Sequence, residues 1–269
     1  EKGTDAGEFF KHHPRHRTLI SINRPYTGQK DDEAKYRYDW NSLMGDNVRR
    51  FTDYDKKYFP DADKLVEYMV DLQKDHNLNI QFNTEITNVK YEEAGTYILT
   101  DTNMKKYRCK YLIVATGWNH ENIPDYIKNC PGTMTYGTHD LNKERYKDKN
   151  ILIIGKGNSG LETADYLIDV AGMIQVVSPN PIQLSWFTRY VGSLRAVNNN
   201  FLDTYLLKAG NNSININVRN IVKRDNGYEV SMSFNCNKVK SATMCTYDEV
   251  ISCAGFVLDT TIFDEAIKP

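Results

Sequence analysis

The chain has 269 residues, of which 40% are hydrophobic and 26% charged, and a formal net charge of −1. That length gives one large domain or two modest ones, with enough apolar material for a core that needs no disulfide staples. The near-neutral charge argues against nucleic acid or an acidic membrane surface as the main partner, and the longest apolar runs are too short to cross a bilayer as a helix.

In chain order, residues 1–56 read as irregular and aromatic-rich, with one short apolar core at Leu19–Ile22. His12, His13 and His16 lie around Pro14 in a stretch that reads as loop, with no acid or cysteine cluster to complete a metal site. In "YFPDADKLVEYMVDLQKDHNL", Leu65, Met69 and Leu72 recur at helical spacing behind an Asp61 N-cap. "NIQFNTEITNVK", "TYILTD" and "KKYRCKYLIVATG" read as a meander of strands, and the fully apolar last one predicts a central position in a sheet. Residues 118–148 read as a loop-rich connector. A buried strand then begins at 150, runs into "GKGNSG", and is followed by a helix with Leu161, Ala164, Leu167 and Ile168 on one face. "MIQVVSP" is the next strand, which completes a βαβ unit. Residues 181–217 read as partly helical, "VRNIVKRDNGYEVSMSF" as paired strands around a tight turn, and "VISCAGF" as a final buried strand and glycine turn.

The glycine turn carries the chemistry. Gly155 permits the tight turn off the strand, Gly157 lets the backbone approach a pyrophosphate, and Gly160 lets helix and sheet pack closely. The phosphates of a dinucleotide then rest on the helix N-terminus, with Asn158 and Ser159 as added donors. A strand before the turn, a helix after it and a further strand beyond make a dinucleotide site the reading. The residue expected to bond the ribose hydroxyls falls at Ser178, where no acid stands. This leans away from strict NAD and towards NADPH, although "SPNPIQL" offers no basic side chain either. Lys156 and Arg189 are the basic residues to weigh for a 2′-phosphate, against solvated or structural roles.

Five cysteines, none spaced Cys-x-x-Cys, argue against a zinc site or a dithiol redox centre. Cys236 and Cys245 flank a hairpin loop and are the pair to test for a disulfide. Asn211-Asn212-Ser213 is a glycosylation sequon.

The order strand-"ATG", connector, strand-"GxGxSG" and terminal strand-"GF" resembles the flavoproteins with two dinucleotide-binding domains, in particular their flavin-containing monooxygenase-like branch. The blocks "PRHRTLISIN", "YTG", "DWNSL", "YFPDADKLVEY", "GKGNSG" and "LSWFTRYVGSLRAVNNNFLDTYLLK" look like the FAD-dependent oxidoreductase domain-containing proteins of the endoplasmic reticulum. The resemblance implies an α/β fold with an NADPH-binding Rossmann domain (140–244) inserted between two parts of an FAD-binding domain (1–139 and 245–269). It implies FAD and NADPH as cofactors, and electron delivery from reduced flavin to oxygen or to a small-molecule or protein acceptor. It places the chain in the endoplasmic-reticulum lumen and implies quality-control partners. The alternative it leaves open is a flavoprotein-fold adaptor in endoplasmic-reticulum-associated degradation with little turnover.

By the same resemblance, Glu1 holds the FAD ribose, and the first glycine motif lies upstream of a chain that opens without methionine. Asn23 stands at the reactive edge of the flavin, the catalytic position, and Arg15 and Arg17 line the flavin or its phosphates. Ile86 meets the adenine, and Ala115, Thr116 and Gly117 close over FAD. Gly255, Phe256 and Asp259 return beside the isoalloxazine. Tyr136 stands where the monooxygenase pattern has a histidine, which weakens ordinary amine or sulfide oxygenation.

Overall fold

The structure, a computed structural model, describes residues 1–92, 95–118, 120–203, 210–234 and 242–267. Cys236 lies outside the described residues. The chain divides into two compact units, one of residues 1–13, 17–120 and 256–269 and the other of residues 14–16 and 121–255.

The first unit contains α1 (Glu8–His12), α2 (Asp32–Tyr36) and α3 (Ala62–Asp75). Asp61 caps α3 by accepting from the Asp63 backbone N–H at 2.8 Å. Ala62, Leu65, Tyr68 and Leu72 form the buried stripe of α3 and pack with Leu19 and Phe51, while Met69 sits at the edge of that cluster. Tyr68 reaches the core because its hydroxyl is satisfied there, donating to the Arg49 carbonyl and accepting from the Leu43 N–H. The meander follows as β1 (Ile86–Glu92), β2 (Thr96–Asp101) and β3 (Lys106–Cys109), an antiparallel sheet in that order.

Past Cys109 the structure corrects the expectation of a central strand. Residues 111–117 form neither helix nor strand, belong to none of the described sheets and are largely open to solvent; Ile113 is 91% exposed. An apolar run is buried in a sheet only where neighbours complete its two edges and two faces, and no described strand pairs with this one.

The chain enters the second unit at β4 (His120–Glu121), continues through α4 (Asp125–Lys128), β5 (Met134–Thr135), β6 (Asn150–Ile154), α5 (Asn158–Leu167), β7 (Met173–Ser178), α6 (Ser185–Thr188), β8 (Asn212–Asn215), β9 (Asn217–Arg224), β10 (Gly227–Ser233), β11 (Ala242–Tyr247) and β12 (Glu249–Ser252), and leaves it at β13 (Phe256–Val257). Five strands form a parallel sheet in the order β5-β12-β6-β7-β8. β6, with Ile151, Leu152 and Ile153 at zero exposure, runs at its centre between β12 and β7. Leu161, Ala164 and Leu167 face inward from α5, whereas Ile168 is exposed. β9, β10 and β11 form a separate antiparallel sheet, with Arg224 and Gly227 paired across the tight turn. Asn211, the sequon asparagine, is buried, and its side-chain oxygen accepts from the Ile174 N–H at 2.7 Å. It is a structural bond, not an exposed acceptor for sugar.

Candidate functional site

In the second unit the turn after β6 is built from backbone contacts that exclude side chains. Gly155 has φ 122°, and a methyl there would stand 2.0 Å from the Cys253 carbonyl oxygen. A methyl at Gly160 would stand 1.9 Å from the Gly155 carbonyl oxygen. Gly157 differs: a methyl there would meet nothing within 4 Å. It faces open space at the start of α5, and no side chain caps this helix end. The first N–H groups of α5 are therefore left for an anion, and a pyrophosphate suits both the space and the helix dipole.

Of the expected donors, Ser159 makes no side-chain bond among the described residues. The Asn158 amide is already engaged. Its oxygen accepts from the Arg195 N–H at 2.9 Å and from Asn198 at 3.1 Å, and its nitrogen donates to the Ser193 carbonyl. It ties the segment after α6 to the start of α5. Ser178 closes β7 and donates to the Asn180 carbonyl. Lys156 is buried, with its ammonium on the Asn215 side-chain oxygen. Gly255, at φ 91°, is exposed with open space around it, and its carbonyl accepts from the Asn122 N–H.

Behind α5 lies a polar cluster that no local pattern announces. Tyr136 donates to Glu162 at 2.8 Å and accepts from the Arg15 backbone N–H at 2.7 Å. The other Glu162 oxygen accepts from the His16 N–H at 3.0 Å, and the Arg15 guanidinium donates to the His139 carbonyl. His16 stacks on Tyr166, and its ring centroid is 5.1 Å from that of His139. Burial, helped by His139 and Arg15 nearby, draws the His16 pKa down to about 3, and burial lowers that of His139 as well. Burial and then the Glu162 charge push the Tyr136 phenol up. Arg15, expected against flavin, thus belongs to this cluster. The acid Glu162, beside the buried apolar face of α5, is the one signal that could have located it from sequence.

The first unit holds a cavity of about 450 Å³, within the usual range of small-molecule sites, with Leu112, Val114 and Phe263 among its apolar walls. Thr116, Gly117 and Asp259 also line it, which brings three expected flavin contacts to one place. Ala115 precedes them on the same exposed stretch. The Asp259 carboxyl is held below the ordinary range by bonds from the Thr261 hydroxyl and N–H, with His120 3.2 Å away adding to the effect. The remaining expected residues of this unit lie elsewhere. Asn23 is fully buried; its amide donates to the Asp55 carbonyl and accepts from Asn41, both at 2.8 Å. Arg17 pairs with Asp63 at 2.7 Å. Glu1 accepts from the Gly3 N–H, Ile86 opens β1 beside a register shift, and Phe256 meets the His13 ring edge-on.

The chain matches the pyridine nucleotide-disulphide oxidoreductase family over residues 1–268. The chain belongs to that family. Its fold is the α/β architecture of FAD- and NAD(P)-binding oxidoreductases, as in thioredoxin reductases and flavin monooxygenases. It is 34% identical to mouse FAD-dependent oxidoreductase domain-containing protein 2, over all of this chain and 44% of that protein. It is 39% identical to the zebrafish protein of the same name, over 78% of this chain and 31% of that one. The chain thus spans less than half the length of these relatives. Among solved structures it is similar in fold to bacillithiol disulfide reductase from Staphylococcus aureus, with a TM-score of 0.70 at 18% identity, over 95% of this chain and 68% of that one. It is likewise similar to a flavin-containing monooxygenase from Stenotrophomonas maltophilia, with a TM-score of 0.68 at 15% identity, over 99% and 72%.

Proposed function

We propose that this chain is the nucleotide-handling part of an FAD-dependent oxidoreductase that takes hydride from NADPH and passes electrons from reduced flavin to oxygen or another acceptor. The observation that carries the reading is the turn at 155–160, with Gly157 open and the N-terminus of α5 uncapped. Bound there, a nicotinamide dinucleotide would supply the hydride, and flavin the electron transfer. The chain's own residues do the holding. The backbone of the turn and the Ser159 hydroxyl receive the pyrophosphate. The cavity of the first unit offers flavin apolar walls, an open Gly117 and the ionised Asp259.

The test uses the full-length protein purified from cells. It should carry bound flavin, be yellow as oxidised flavin is, and bleach under anaerobic NADPH. Protein that is colourless and takes up no added FAD would sink the reading. The resemblance extends the proposal to the endoplasmic-reticulum lumen, which imaging of tagged full-length protein checks.

A second reading, an adaptor in endoplasmic-reticulum quality control with little turnover, is favoured by Asn23. Its amide already bonds Asp55 and Asn41 and the residue is buried, which supports a structural role for it. A protein that binds flavin firmly and is not reduced by NADPH would decide for this reading.

A further inference from the structure

We infer that Lys156, inside the glycine turn, is the residue by which this site selects a 2′-phosphorylated dinucleotide over one without that phosphate. The inference rests on the dinucleotide reading of the turn given above.

Lys156 follows the carboxyl end of β6, and its ammonium lies on Asn215 at the carboxyl end of β8. Between them runs β7, which ends at Ser178, the register partner of Asn215. The side chain therefore spans the carboxyl ends of three neighbouring parallel strands. Ligands of open α/β sheets bind outside those ends, and the adenosine ribose sits at the end of the strand after the glycine turn, here β7.

Two further observations give this position its sign. Lys156 is only 7% exposed, and among the described residues no carboxylate lies within ion-pair distance of it. Its partner is a neutral amide, which leaves two donors and a whole charge without compensation. A buried ammonium in that state is costly, and a dianion beside it removes the cost. The same burial depresses its pKa. Second, the acid that would grip the ribose hydroxyls of a non-phosphorylated dinucleotide, and repel a 2′-phosphate, is absent. From Val170 to Leu202 the sequence contains no Asp or Glu. The site has a cation where selectivity is decided, and no anion.

The experiment is calorimetric titration of full-length protein with 2′,5′-ADP and with 5′-AMP, which isolates the phosphate from any redox readout. The wild type should prefer 2′,5′-ADP by about tenfold to a hundredfold, the worth of a charge-assisted hydrogen bond. Lys156→Gln should bring the two affinities to within about threefold, chiefly by weakening 2′,5′-ADP. Its melting temperature should hold or rise, because an uncompensated buried charge has gone. Asn215→Asp gives the ammonium a carboxylate partner in place of the amide. It should also cut the preference for 2′,5′-ADP, and it answers the question if Lys156→Gln does not fold. Equal affinity of the wild type for the two nucleotides, or an undiminished preference in the folded variants, overturns the inference and leaves the dinucleotide reading standing. Binding of neither nucleotide overturns both.

Discussion

Two stretches of this chain are written in nearly the same alphabet and have opposite fates. "NILIIG" and "YLIVATG" are both apolar runs that end at a glycine with positive φ. In the first, Ile153 is at zero exposure and β6 has a neighbour on each edge. In the second, Ile113 is 91% exposed and no described strand pairs with it. The glycines differ in the same way. A methyl on Gly155 would collide with backbone, and one on Gly117 would meet nothing within 4 Å. An apolar sequence thus sets only the capacity for burial, and long-range neighbours decide whether the capacity is used.

The comparison can be broken by substitution. Gly155→Ala should cost more than about 3 kcal/mol, because a positive φ and a backbone clash act together. Gly117→Ala should cost about 1–2 kcal/mol, from the left-handed backbone alone. Urea unfolding of both variants measures the difference, and equal losses would mean that the two turns are equally enclosed in solution. Ile153→Ala should cost about 2–5 kcal/mol through the cavity it leaves. Ile113→Ala should stay within about 0.5 kcal/mol. A large loss at Ile113 would show that the 111–117 stretch is covered in solution.

A smaller effect sharpens the account of the second unit. His16 has a pKa of about 3 in the folded chain, against an ordinary value of 6.5. Between those values the unfolded chain binds more protons than the folded one, so stability is full above pH 6.5 and falls as the pH drops towards 3. From pH 7.5 to 5 this one histidine should remove about 2 kcal/mol. Urea midpoints at the two pH values should move accordingly, and His16→Phe should flatten the dependence while His139 still contributes in the same direction. An unchanged slope in that variant would mean that His16 is solvated.

Much of the second unit was legible because its signals are local. The β6–α5–β7 unit follows from an apolar run, three spaced glycines and helical periodicity, and Asp61 announces α3 in the same manner. The exposure of 111–117 was not legible, since nothing within the run records that no described strand pairs with it. The side-chain commitments were hidden for the same reason. Asn158 reads as a phosphate donor until residues 193–198 are folded against it. Arg15 and His16 meet Tyr136 and Glu162 across more than a hundred residues of chain, beyond the reach of any spacing argument.

The buried carbonyl of Cys253 that shapes the Gly155 turn belongs to a residue whose thiol is itself enclosed, and burial pushes that thiol well above its usual pKa. Cys130, on the same unit, is buried and shifted in the same direction, whereas Cys109 and Cys245 are partly accessible. Alkylating reagents attack thiolates, so the order of labelling becomes a clock for the opening of the parallel sheet. Iodoacetamide should mark Cys109 and Cys245 early, and reaction at Cys253 should begin only when the turn at 155–160 has come apart.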